Sequence, residues 1–309
     1  MSGRGAAPAG AFSAQWLHLR EPADRMARDA AAEALWGPAA LAEAGAAGGL
    51  PLASHGTGPL TVFDLGCGTG ATLRALAPRL GGRQHWHAWD HDEALLGAWP
   101  AALAAWAQRE GAEVVERGGL LVLRGRGFEA TVERHRVDLA RGLGTLPFAE
   151  AGLVCATALL DLVSHDWLAA LVGHLRPTSA PLSFALVVDG RIEWNPALPG
   201  DGAVARSFAE HQGRDKGFGP ALGPRAPQVA RDLLEAAGYV VRTARSDWGL
   251  AGGPLQAAVV DGMAAAACEQ HPQAAADIER WRTLRAAAVA TTHLRVGHVD
   301  LFAVRPGRA

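Results

Sequence analysis

The sequence predicts an α/β fold: a three-layer sandwich whose helices cover both faces of a seven-stranded, mostly parallel sheet. Short apolar runs alternate along the chain with segments of helical period, the pattern of parallel strands joined by crossover helices. A glycine-rich turn joins the first such run directly to a helix. The chain has 309 residues, 49 % of them hydrophobic and 19 % charged, enough to bury a large core and too apolar for disorder.

The elements follow in order. Residues 14–36 place Trp16, Leu17, Leu19, Met26, Ala30 and Leu35 at near-helical spacing, predicting a helix or helix pair interrupted around Pro22. With a Gly/Pro-rich linker over 45–59, they form an N-terminal helical cap and linker, 1–55, ahead of a main domain at 56–309. Strands are expected at 60–65, 85–89, 131–137, 152–157, 182–188, 239–244 and 294–304. Helices are expected at 71–80, from Asp92, at 165–175 and at 226–237. Three insertions break the alternation: 113–128, with hairpin-like GG and RGRG turns; 190–224, rich in Gly, Pro and charge; and 246–290, largely Ala-rich and helical. Long additions to an α/β core commonly cover or build a site.

Charge and cysteine content narrow the function classes. Lys plus Arg is 29 and Asp plus Glu 31, a balance of 29 − 31 = −2 that gives no drive toward nucleic acid or anionic membrane. Cys67, Cys155 and Cys268 are far apart and odd in number, which argues against a disulfide scaffold and for a reducing compartment. The N-terminus lacks a long apolar core of signal-peptide type, and the longest uncharged apolar stretch, 94–107, contains Pro100 and is too short to span a bilayer. The expectation is a cytoplasmic protein with a small-molecule substrate, no nucleic-acid partner and no membrane association. Oligomeric state is not legible.

The segment Asp64-Leu65-Gly66-Cys67-Gly68-Thr69-Gly70-Ala71 sits between an apolar strand and a helix. Glycines permit a tight turn and close backbone approach to a ligand, and a helix N-terminus presents free N–H groups. The segment also reads Gly66-x-Gly68-x-x-Ala71, so the motif alone leaves a dinucleotide open. Asp64 separates the two: a carboxylate before the first glycine suits a cationic group and would repel pyrophosphate.

Here the chain resembles the class I (Rossmann-like) S-adenosylmethionine-dependent methyltransferases, whose first motif has the form D-x-G-x-G-x-G, matched by Asp64 to Gly70. The resemblance extends from about Leu60 to Pro306, and its implied closing antiparallel hairpin fits the last two predicted strands. It implies S-adenosylmethionine as cofactor, with S-adenosylhomocysteine as product, held by Asp64, Gly66, Cys67, Gly68 and Gly70. An acid ending the second strand, here Asp90 followed by His91, would hold the ribose hydroxyls. An acid ending the third, here Asp138 followed by Leu139, would lie near the adenine amino group. Thr157 to Leu160, with Ala158 among them, would form the edge of the site after the fourth strand. Arg20 of the cap would close over the cofactor.

Methyl transfer asks mainly for proximity, plus a base where the acceptor carries a proton. Asp161 and His165 follow the fourth strand and are placed for this. The segment 208–220 concentrates His211, Arg214, Asp215 and the sole Lys216 among Gly213, Gly217 and Gly219, the ingredients of a substrate lid suited to a carboxylate or phosphate. His211, Asp215 and Lys216 are therefore candidate catalytic residues with Asp161 and His165. Indoles are candidate walls: Trp86 or Trp89 beside the adenine, and Trp16, Trp194, Trp248 and Trp281 around a planar substrate. His85, His87 and His91 beside Asp90 suggest a metal, but the resemblance already gives Asp90 to the ribose, and no cysteine or further carboxylate cluster completes a site, so none is expected. The function expected is methylation of O or N on a small metabolite. RNA or protein methylation, and a non-catalytic binding protein on the same fold, remain the alternatives.

Overall fold

The computed structural model describes residues 12–37, 58–178 and 180–305, so most of the predicted linker at 45–59 lies outside the described residues. The chain runs α1 (Ala14–Trp36), β1 (Leu60–Leu65), α2 (Ala71–Leu80), β2 (Gly82–Asp90), α3 (Glu93–Gly97), α4 (Trp99–Glu110), β3 (Glu113–Arg117), β4 (Leu120–Gly125) and β5 (Phe128–Arg136). It continues with α5 (Leu139–Gly142), β6 (Leu153–Thr157), α6 (His165–Leu175), β7 (Leu182–Asn195), α7 (Asp201–Gln212), α8 (Ala226–Ala236), β8 (Val240–Arg245), β9 (Trp248–Ala251), α9 (Gly253–Gln270), α10 (Ala275–Ala287) and β10 (His293–Val304).

The sheet order is β3-β4-β5-β2-β1-β6-β7-β10-β8, with β9 paired to β10. Five central strands are parallel, and β10 lies antiparallel between β7 and β8. β1 is apolar on both faces, with Val62, Phe63 and Leu65 fully buried, as a central parallel strand requires. Its odd and even residues feed different cores. Phe63 and Leu65 join Leu168, Leu171 and Leu234 under α6 and α8, whereas Val62 packs with Leu73, Trp86, Trp99 and Leu103 under α2 and α4.

Three expectations are corrected. Ten strands replace seven, because the 113–128 insertion forms the antiparallel β3–β4 edge and residues before α9 add β9. α1 is one continuous helix through Pro22; the proline leaves only the carbonyl of exposed His18 without its helical donor, and the buried side of Ala27, Ala31 and Leu35 holds the rest. β7 runs on to Asn195, so its second half and the first half of β10 overshoot the carboxyl edge of the sheet.

That overshoot carries the added elements. α7, α9 and α10 pack beside it around Val204, Val260, Met263, Ile278 and Trp281. Asp201 fixes α7 to α10 by accepting from Trp281 Nε1 (2.8 Å) and pairing with fully buried Arg285, whose guanidinium lies 4.0 Å over the Trp194 ring. α1 crosses to the same side, where Trp248 Nε1 donates to Asp24 (2.9 Å). None of the described helices is long and apolar enough to cross a membrane.

Candidate functional site

The turn after β1 is built for close approach. Gly66, Gly68 and Gly70 have φ of 67°, 52° and 84°, in the left-handed region that disfavours a side chain. The backbone N–H groups of Gly66 and Cys67 donate to the Trp89 carbonyl, tying the turn to the end of β2. Trp99 of α4 braces it from beneath: its indole donates to the Gly68 carbonyl at 2.8 Å, and a Cβ on Gly70 would stand 3.0 Å from its ring.

Asp90 ends β2 with 7 % of its surface exposed. Its Oδ2 accepts from Gly68 N (2.8 Å) and its Oδ1 from Asp92 N (2.9 Å), which fixes the carboxylate and leaves a further lone pair on each oxygen. Around it opens a cleft of about 290 Å³. Arg20, Gly66, Gly68, His91, Leu139 and Ala158 of the expected set all line it, and Leu17, Leu95, Val137 and Phe218 add apolar walls. Trp167 anchors one wall through Nε1–H to the Leu139 carbonyl (2.8 Å) and an edge contact with Phe218.

Four cofactor candidates lie elsewhere. Asp138 is exposed and caps α5 by accepting from Ala140 N, so its neighbours Val137 and Leu139 line the cleft instead. Cys67 points into the core beneath α2, where burial pushes its thiol well up. Gly70 meets Trp99, not the cleft. Asp64 is fully buried under the turn, and neither oxygen accepts a hydrogen bond; burial drives its carboxyl up to about 7. The neighbouring Thr72 hydroxyl is committed to Thr157 (3.0 Å). Trp86 and Trp89 are buried in the sheet and do not border the cleft.

Beside the cleft lies a chamber of about 400 Å³ with mainly apolar walls. The two share Phe12, Arg20, Ala158, Leu162 and Lys216. Arg20 donates through Nε to Asp24 (2.8 Å) and sits 4.9 Å over the Trp248 ring, with its remaining N–H groups uncommitted among the described residues. Trp16 and Trp248 wall the chamber, as expected of two of the indoles; Trp194 and Trp281 pack around Arg285 and Asp201 instead. Ala158 and Leu186 hold φ of 52° and 54° at its floor. The strained Leu186 N–H donates to buried Asp300 (2.7 Å), which fixes that backbone.

The catalytic candidates divide. Asp161 lines the chamber, nearly buried, with Oδ1 unpartnered; burial raises its carboxyl to about 6 against the pull of Arg20. His211 and Lys216 line it as well. His165 is exposed at the start of α6, beside Asp166 and away from both cavities, because Ser164 provides the helix cap. Asp215 turns to its own backbone, accepting from Gly217 N and Gly219 N. The predicted lid is a pinned arch: its first part is helical, and His211–Glu269, Arg214–Glu269 and Glu210–His271 contacts staple α7 to α9. Lys216 has no hydrogen bond or ion pair among the described residues, and partial burial lowers its pKa.

Sequence reasoning missed His298. It is 2 % exposed in β10, borders the chamber, and has its Nδ1 3.1 Å from the Val296 carbonyl. Burial lowers its pKa to about 3, so it stays neutral. Protonation of Nδ1 for that bond makes Nε2 the acceptor. A lone histidine in an apolar strand is the only sequence sign of it.

No family model matches the chain, and no curated protein matches it in sequence. Among solved structures it is similar to a cyclopropane-fatty-acyl-phospholipid synthase-like protein from Lactobacillus casei, at 15 % identity and TM-score 0.48 over 95 % of this chain and 94 % of that one. It is also similar to a precorrin-6y C5,15-methyltransferase from Geobacter metallireducens, at 11 % identity and TM-score 0.39 over 82 % and 84 %. Against an arsenic(III) S-adenosylmethionine methyltransferase from Chlamydomonas reinhardtii the values are 13 % and 0.39, over 81 % of this chain and 65 % of that one. The fold stands on the chain's own topology. Setting aside β3, β4 and β9, its core strands lie in the order third, second, first, fourth, fifth, seventh, sixth, with the seventh antiparallel. That is the class I methyltransferase fold.

Proposed function

We propose that the chain is an S-adenosylmethionine-dependent methyltransferase acting on O or N of a small molecule with a largely apolar body. The observation that supports this most is the joining of two unlike cavities, one walled by a fixed carboxylate and a glycine turn, the other by indoles and aliphatic side chains.

The cleft residues fit the cofactor. Asp90 has lone pairs left for ribose hydroxyls, Arg20 has uncommitted N–H groups for a carboxylate, and Leu95, Val137 and Leu139 offer apolar surface for a base. A cation bound over the turn would favour the ionised form of the unpartnered Asp64 carboxyl beneath it. When bound, S-adenosylmethionine supplies an electrophilic methyl group on a sulfonium. In the chamber, Asp161 takes the proton of the accepting group; a carboxylate raised to about 6 is mostly ionised at neutral pH and a better base than an ordinary one. His298 accepts a hydrogen bond from the substrate without changing charge, and Lys216 meets its anionic or polar end. Apolar walls exclude water from the reacting centre. Two arginines near the turn are paired, Arg74 with Glu21 and Arg25 with Glu110, which leaves less free positive charge for a polyanion and favours a small substrate.

The test is incubation with methyl-labelled S-adenosylmethionine and a small-molecule extract, read by mass spectrometry, alongside calorimetry of S-adenosylhomocysteine binding. Label in a small molecule supports the proposal. Label in RNA or protein, or tight binding with no label transferred to any fraction, overturns it.

A further inference from the structure

Away from both cavities, two adjacent parallel strands present a histidine-rich ladder. The register sets His87 of β2 opposite Glu133 of β5, and Trp89 opposite His135. Alternation along each strand puts His85, His87, Glu133 and His135 on one face, on the side of Phe63 and Phe148. Their side chains are only partly exposed, between 17 % and 34 %.

We propose that this ladder is a binding site for a divalent transition metal of zinc type, with His87, His135 and Glu133 as ligands. The distances carry it. His87 Nδ1 and His135 Nε2 are 3.1 Å apart, and Glu133 Oε2 is 3.9 Å from the first and 3.7 Å from the second. A triangle with these sides has its centre about 2.1 Å from each corner, the bond length zinc makes to imidazole nitrogen and carboxylate oxygen. The donors are two nitrogens and one oxygen, a set that favours zinc-like ions over calcium or magnesium.

His85 acts as a positioning residue. Its Nε2 lies 2.8 Å from Glu133 Oε1, which orients the carboxylate and leaves Oε2 for the metal. The rings of His87 and His135 stack with Trp89 at 5.6 Å and 5.3 Å, which further restrains them. The sequence did not point to this set, because reading along the chain groups His85 and His87 with His91, which instead lines the cleft beside Asp90. The completing ligands stand 48 residues further on, in another strand.

The test uses the full chain without an affinity tag. Cobalt(II) titration should give one equivalent of binding with visible d–d absorption, displaced by zinc(II), and zinc should raise the melting temperature reversibly to chelator. His87→Ala, His135→Ala and Glu133→Gln should each lower affinity by more than about a hundredfold. His85→Ala should weaken it about tenfold while keeping the cobalt spectrum, as loss of an orienting partner does. Exposed His293→Ala should change nothing. Glu133→Gln keeps the side-chain shape, so it serves if a histidine variant fails to fold. No saturable one-to-one binding, or equal affinity in the parent and Glu133→Gln, overturns the site.

Discussion

Replacing Asp90 by Asn tests the cleft most directly, because the carboxylate has two separable jobs. In the folded chain its two oxygens accept from the N–H groups of Gly68 and Asp92. Asparagine keeps one acceptor and sets an amide NH2 against the other donor, leaving one nearly buried N–H unsatisfied at about 1–3 kcal/mol. Toward the cofactor, the variant loses a charge-assisted bond to a ribose hydroxyl, about 1.5–3 kcal/mol. At about 1.4 kcal/mol per decade, that is a ten- to hundredfold loss of affinity. Calorimetry with S-adenosylhomocysteine measures the second effect, and urea denaturation of the free protein measures the first. Asp90→Ala, which orphans both N–H groups, should lose more of each. Affinity within twofold of the parent in both variants, with stability reduced as expected, would refute the ribose assignment and leave Asp90 as a brace of the turn.

Gly70→Ala should cost about 1–2 kcal/mol of stability, from its φ of 84° alone, and more if Trp99 is displaced; a urea midpoint equal to the parent's contradicts this. Asp161→Asn should lower kcat by about 10²–10⁴-fold; parent activity should rise with pH through about 6 while the variant's stays flat, and a shared pH profile would remove Asp161 as base. Lys216→Met should raise the substrate KM with cofactor affinity held within about twofold, and an unchanged KM would return Lys216 to the solvated surface. Asp64 has a folded pKa of about 7 against 3.8, so its contribution to stability is full below pH 3.8 and lost as pH rises through 7. Asp64→Asn should therefore stabilise the free protein at pH 8, by up to about 4 kcal/mol, and confer no such gain at pH 3; melting temperatures across that range decide it.

The parts of the site legible in the sequence are those set by local spacing. The glycines, Asp90 and Ala158 fall at strand ends, and a strand followed by a tight turn is written in consecutive residues. Asp138 shows the limit of such spacing: an acid just past a strand serves equally as the cap of the next helix, and it takes that role. Asp215 and His165 lie off both cavities for a similar reason, since polar side chains near a turn or helix start are claimed first by adjacent backbone or solvent. The fold's inner strands were legible because burial on both faces gives continuous apolar runs. The β3–β4 edge and β9 add strands without changing that pattern. Trp99 and His298 were hidden because each meets the turn or the chamber through contacts between distant segments.

The bond from Trp248 to Asp24 spans 224 positions, and Ala31 and Leu35 of α1 pack against Phe302 and Val304 of β10. During synthesis, α1 therefore emerges long before the strands that receive it. Until β9 and β10 are in place, α1 is tied to the first half of the chain through the pairs Glu21–Arg74, Asp29–Arg79 and Arg25–Glu110. The apolar side of α1 that Phe302 and Val304 cover is thus uncovered until the last strand is made. A chain lacking β10 would leave that side of α1 exposed, the kind of apolar surface that promotes aggregation.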